Sequence, residues 1–108
     1  MTLRIDLTDR HHTHSADERE HVREKVGKLT RFFDKVHHIE IILDKEHDQH
    51  VVEVIVTANN HLHFVGHATN DSMPTAVDKV VSRLERQVVK AKERQKDHKR
   101  GDVSGKVS

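Results

Sequence analysis

Hydrophobic residues recur along this chain with two periods, and the changes of period mark its elements. From Thr2 to Thr8 the pattern alternates. Leu3, Ile5 and Leu7 share one face while Arg4 and Asp6 take the other, which predicts a short half-buried strand. Asp9 to His14 is polar and reads as a loop. At Ser15 the period lengthens. Ser15 with Glu18 matches a capping box, in which each side chain satisfies an unpaired N–H of a first helical turn. Val22, Val26, Leu29 and Phe33 then fall on one helical stripe, so a helix is expected to end near Asp34. Gly27 lies off that stripe and costs roughly 1 kcal/mol against alanine in a helix interior, with no compensating reason visible in the pattern.

Alternation then returns three times. His38 to Leu43 turns Ile39, Ile41 and Leu43 inward, and Asp44 to Gln49 reads as a charged turn. His50 to Ala58 puts Val52, Val54 and Val56 on one face and Val51, Glu53, Ile55 and Thr57 on the other. Asn59-Asn60 suits a tight hairpin, because asparagine tolerates the left-handed backbone. His61 to Thr69 turns Leu62, Phe64, Gly66 and Ala68 inward and His61, His63, Val65 and His67 outward.

A second helix closes the chain. Asp71 or Ser72 can cap it, and Pro74 fits only because first-turn N–H groups have no helical partner. Met73, Val77, Val80, Val81, Leu84, Val88 and Ala91 form one apolar stripe, within about −40° to +60° of Leu84 on a helical wheel. Lys79, Arg83, Arg86, Lys90 and Arg94 form a basic ridge at about 200° to 280°. The order β-α-β-β-β-α, with one apolar face per strand, predicts an α+β fold: a four-stranded mixed sheet with both helices packed on one face. A helical connection makes the first two strands parallel, with a right-handed crossover.

Charge sharpens this picture. Residues 79–100 hold nine Lys or Arg against three Asp or Glu, a balance of +6, whereas residues 1–78 hold nine against fourteen, a balance of −5. The formal net charge of +1 conceals the split. Like charges three and four residues apart on a helix repel by a few tenths of a kcal/mol per pair, and a phosphate backbone relieves that repulsion without reading sequence. A polyanion is the partner this favours, over a solvated face, an acidic protein or a membrane surface; the membrane reading is weak because the apolar stripe is needed for the domain's own core. Tyr and Trp are absent and Phe occurs three times, so stacking on bases is not the expected mode of contact.

The remaining chemistry is sparse. With 108 residues the chain forms one domain, expected over 1–100, with a loose tail at 101–108. There is no Cys, no visible signal peptide and no membrane-span-length apolar run, which together suggest the cytoplasm. Of twelve His, several cluster: His11, His12 and His14; His37 and His38; His61, His63 and His67. The last three share a strand face and could share a metal ion, but surface imidazoles that gain charge near pH 6 are the plainer expectation, and no metal or other cofactor is expected. No glycine-rich phosphate loop, nucleophile elbow or Cys nucleophile is present, so an enzyme is not expected.

The second helix resembles a known family. Asp71-Ser72-Met73-Pro74-Thr75-Ala76-Val77-Asp78 is similar to that family's Asp-Asp-Met-Tyr-Ala-Ala-Ile-Asp, and Arg83-Leu84-Glu85-Arg86-Gln87-Val88 with Lys90 to its Lys-Leu-Glu-Arg-Gln-Leu and Lys-rich end. His50-Val51-Val52-Glu53-Val54 looks like its His-x-x-Glu-Val strand, preceded by Lys45-Glu46; His21-Val22 and Lys28-Leu29 match in the first helix. On these residues the chain, over about 2 to 96, resembles the ribosome hibernation-promoting factors, or ribosome-associated inhibitor and sigma-54 modulation proteins. The resemblance implies the same fold and binding to the small ribosomal subunit and its ribosomal RNA, in the channel used by mRNA and tRNA anticodon arms. It further implies inhibition of translation in idle or stressed cells. Carried over, Lys79, Arg83, Arg86 and Lys90 would face RNA, with Lys28 and Arg31 adding from the first helix. No membrane or small-molecule partner is implied, and a monomer is expected off the ribosome. Pro74 replaces the family's Tyr, Glu20 and Glu24 dilute the first helix's charge, and neither a C-terminal dimerisation domain nor a long acidic tail is visible, as in a short form. Two alternatives remain open on the residues alone: a general duplex RNA- or DNA-binding module, and a histidine-rich domain for metal or acidic proteins.

Overall fold

Among the described residues, seven segments of regular backbone realise the alternating and helical patterns. In the computed structural model they are β1 (Arg4–Asp9), α1 (Ala16–Gly27) running into a 3-10 turn (Lys28–Arg31), β2 (Val36–Glu46), β3 (Gln49–Ala58), β4 (Leu62–Asn70) and α2 (Met73–Ser104). The structure describes residues 3–12, 14–31, 36–58 and 62–104, without the side chains of residues 92 and 94–104. The sheet runs in the order β1-β2-β3-β4, with β1 parallel to β2 and the other pairs antiparallel. This is the expected mixed sheet with two helices.

Register explains the core. Leu7, Ile41, Val54 and Gly66 stand in one row across all four strands. That row and its neighbours Ile39, Leu43, Val52, Val56, Phe64 and Ala68 meet Val22, Val26 and Leu29 from the first helical segment and Ala76, Val77, Val80 and Leu84 from α2. The next row over, Asp6, Glu40, Ile55 and Val65, looks away from the helices. A pleated strand has side-chain period two, so each strand contributes alternate residues to a single apolar layer.

β1 extends to Asp9 and β2 begins at Val36, each a little beyond expectation, and three further boundaries differ more. The β2–β3 connection is a two-residue hairpin, His47 and Asp48, both with left-handed φ of 49° and 67°. The polar Lys45, Glu46 and Gln49 that suggest a longer turn are strand residues at the sheet's end, where no helix covers them; Lys45 pairs with His50 and Glu46 with Gln49. Secondly, α1 is shorter than its apolar stripe. It tightens to 3-10 geometry at Gly27, whose carbonyl accepts the Thr30 hydroxyl at 2.8 Å, and the turn still buries Leu29. The expected helix end at Phe33 and Asp34 lies outside the described residues. Thirdly, α2 continues to Ser104, past the point at which a tail is expected; residues 105–108 lie outside the described residues, as does the Asn59-Asn60 turn.

Gly27 is open to substitution. A Cβ there would meet only Ile5 Cδ1, at an ordinary 3.9 Å, and its backbone is not left-handed. Gly27→Ala should therefore stabilise the domain by about 0.4–1 kcal/mol, through a less flexible unfolded chain. A thermal melt showing a lower midpoint than the parent's would contradict this.

Candidate nucleic-acid interface

The ridge depends on how α2 is started and seated. Asn70 Oδ1 accepts the Ser72 N–H at 2.9 Å, and the Ser72 carbonyl accepts from Ala76 N at 3.0 Å, so Ser72 is the cap. Pro74 then falls in the first turn, where its missing N–H costs nothing. Met73, Ala76, Val77, Val80, Leu84 and Val88 are buried, and Val81 and Ala91 pack on the core edge. This stripe fixes the rotation of the helix about its axis.

That rotation leaves Lys79, Arg83, Arg86 and Lys90 exposed. Among the described residues none of the four has an ion-pair partner. Asp78, the carboxylate beside them in sequence, is paired instead with Lys25 of α1 at 3.3 Å. Glu85 is half-buried. An open groove of about 430 Å³ is lined by Thr75, Asp78, Lys79, Ser82, Arg83 and Arg86. A second, of about 550 Å³, is lined by Ser82, Glu85, Arg86, Val89, Lys90 and Glu93. Arg86 borders both. Cations without carboxylate partners on the rims of open grooves are what a phosphate backbone pairs with. The Arg94 side chain lies outside the described residues.

Arg83 differs from its neighbours on the ridge. Its guanidinium donates to the backbone carbonyl of His67, and one turn on Gln87 Nε2 donates to the carbonyl of Val65 at 2.7 Å. β4 is an edge strand, so these side chains occupy carbonyls that would otherwise be open to another strand. Arg83 thus tethers α2 to the sheet as well as carrying charge. Helical spacing alone groups it with Lys79 and Arg86; only the position of β4 separates them. Gln87, four residues on, is the one sequence hint, since it continues the same flank.

Lys28 and Arg31 sit exposed on the 3-10 turn, which packs against α2, so they belong to the same helical layer as the ridge. Glu20 is engaged with Arg23 of the same helix at 3.6 Å.

Most of the described histidines are exposed, as expected, but His14, His38 and His50 are not, and several imidazoles have partners. His14 is buried, with a side chain 0% exposed. His38 Nε2 lies 2.9 Å from Asp6 Oδ2, and His11 Nδ1 lies 2.6 Å from Asp44 Oδ1. The His38 hydrogen bond holds the Asp6 carboxyl below its usual range, and the Lys45 backbone N–H, then His11, do so for Asp44. His63 Nδ1 sits 3.3 Å from the Thr57 hydroxyl, while His67 is exposed and His61 lies outside the described residues. Among the described residues no group of three His, Asp or Glu is placed to hold a metal ion, and no helix is long and apolar enough to cross a membrane.

Comparison with known proteins follows the same layout. A ribosome hibernation promoting factor of Azotobacter vinelandii is 29% identical over 83 residues, covering 77% of each chain. One from Pseudomonas putida is 27% identical over 93 residues, covering 86% of this chain and 90% of its own. Among solved structures, a ribosomal subunit interface protein from Coxiella burnetii superposes with a TM-score of 0.76 at 24% identity, over 84% of this chain and 99% of its own. The N-terminal domain of Thermus thermophilus Protein Y gives 0.69 at 22% identity, over 82% and 96%. These two share the fold. The pattern of the sigma 54 modulation protein / S30EA ribosomal protein family runs through residues 5–96, from the first strand to the far end of the ridge, and the chain belongs to that family.

Proposed function

We propose that this protein is a ribosome hibernation factor that binds the small ribosomal subunit through the basic ridge of α2. The observation that carries the proposal is the set Lys79, Arg86 and Lys90, exposed, without carboxylate partners among the described residues, and held in line by a helix whose opposite stripe is committed to the core. Membership of the family, and relatives named ribosome hibernation promoting factors, support a ribosome as the polyanion. Arg83, Arg94, Lys28 and Arg31 extend the positive field. The docking place is the channel used by mRNA and tRNA anticodon arms, and occupation of it silences translation in idle or stressed cells. Residues 1–100 act as one ribosome-binding domain, a cytoplasmic monomer when off the ribosome, with no catalytic role.

Co-sedimentation with purified small subunits tests this. Binding near one to one is expected, weakening as salt rises because counterions compete for the phosphates. No co-sedimentation at low salt removes the proposal. Equal affinity for a plain RNA duplex and for the assembled subunit would replace it with general duplex binding, since a helix laid on phosphates reads shape rather than sequence.

A further inference from the structure

Opposite ends of the β1–α1 connection carry polar residues that the ridge does not use. Asp9 ends β1 on the inward side of the sheet, and its side chain is 3% exposed. His14 immediately precedes the capping Ser15 of α1, and its side chain is fully buried. In many helices that position holds an apolar residue packed against the fourth helical residue. Here the fourth residue is Arg19, whose Nη1 donates to the His14 carbonyl at 2.7 Å and lies 3.9 Å from Asp9 Oδ2. A polar clasp stands where an apolar one is usual.

The clasp reaches across to the sheet. Asp9 Oδ2 accepts the His14 backbone N–H at 2.9 Å, and Oδ1 lies 3.2 Å from His14 Nδ1. His14 Nε2 lies 3.0 Å from Nδ1 of His50 near the start of β3, with ring centroids 5.1 Å apart. With Asp9 ionised, its oxygens only accept, so the proton of the Asp9–His14 Nδ1 bond sits on the imidazole. The Nε2···Nδ1 link then has room for one proton: His50 donates it to a neutral His14, or a charged His14 donates it to His50. A second proton would set N–H against N–H and put positive charge on both rings.

We propose that Asp9, His14 and His50 form a proton-counting latch, which holds the β1–α1 connection onto β3 and opens when both imidazoles are protonated. The charged groups around it divide. Asp9, Glu18 and Asp71 favour protonation, whereas Arg19 and Lys45 oppose it, as does each imidazole's charge toward the other. Burial first, then the neighbouring His14, holds His50 below the usual histidine range. An unfolded histidine takes its proton near pH 6.5. Because the folded group binds it later, the latch's contribution is complete above about pH 6.5 and is lost as pH falls through the lowered folded value. Opening would leave the connection held at Arg10, whose backbone N–H donates to the Leu43 carbonyl at 3.0 Å, and at His11 on Asp44.

Amide hydrogen exchange on the full chain tests this, read at the His14 N–H that Asp9 accepts. Between about pH 7.5 and 5.5, protection there, corrected for intrinsic exchange, should fall about tenfold while Val54 in the sheet centre keeps its own. His50→Gln should abolish the fall, because the amide can donate to neutral His14 or accept from charged His14. Imidazole nitrogen shifts should show the His14–His50 link breaking in the parent over the same interval. Protection at His14 that does not change with pH would overturn the latch. So would an equal fall in His50→Gln, or a parallel fall at Val54, which would mean general unfolding.

Discussion

Simultaneous replacement of Lys79, Arg86 and Lys90 by glutamate should weaken binding to the small subunit by on the order of a hundredfold or more, with the melting midpoint little changed. Each substitution changes the local charge by two, so the ridge loses six units and gains repulsion from phosphate. All three side chains are exposed and without an ion-pair partner among the described residues, so reversal breaks no ion pair there. If three phosphate contacts are lost, the slope of log affinity against log salt should become shallower by roughly two to three. Arg83 is left out of this set because its guanidinium holds the His67 carbonyl. Arg83→Glu would place a carboxylate against backbone oxygens of the edge strand and should lower stability as well as binding. Arg83→Gln, which keeps a donor, should affect binding more than stability. A triple variant that melts normally and binds like the parent would move the interface to the open sheet face around Ile55, Val65 and His67.

Leu84→Ala should destabilise the domain by about 2–5 kcal/mol, because Leu84 is fully buried and its removal leaves a cavity between α2 and the sheet. Near this size of domain that corresponds to a midpoint lower by roughly 10–30 °C. Gly66 lies on the other side of the same contact. A Cβ there would stand 3.0 Å from Leu84 Cγ, 3.1 Å from Val80 Cγ1 and 3.2 Å from the Val80 carbonyl. Gly66→Ala should therefore cost about 1–3 kcal/mol by pushing α2 off β4. The two changes should not add. An alanine methyl at 66 takes part of the space Leu84 vacates, so the double variant should be more stable than the sum of the singles implies. Strict additivity in urea melts would show that α2 does not approach β4 as closely as this. Subunit binding by Leu84→Ala should fail only in step with unfolding, which separates it from the ridge variants.

The periodicities of this chain contain most of its fold. Val52, Val54 and Val56, or Val77, Val80 and Leu84, have one arrangement in which they can leave water together, and alternation or helical spacing states it locally. The capping box at Ser15 and Glu18 is likewise local, and both of its bonds form, at 2.9 and 3.1 Å. The basic ridge is legible for the same reason: a helix whose apolar stripe is fixed has only one place to put the residues opposite it.

Contacts between elements distant in sequence decided the rest. Nothing within 79–90 distinguishes Arg83 from Arg86; the edge of β4, which lies beneath one and not the other, does. Gly66 reads as a small inward residue until Val80 and Leu84 are laid over it. Asp9, His14 and His50 are separated by up to 41 positions in a chain with twelve histidines, and polarity assigns all three to solvent. Burial of His14 depends on where β1 ends, where α1 starts and how β3 is registered against them. Patterns of hydrophobicity encode which residues must leave water; they carry no record of which polar groups meet each other once the water is gone, and that pairing is set by tertiary geometry.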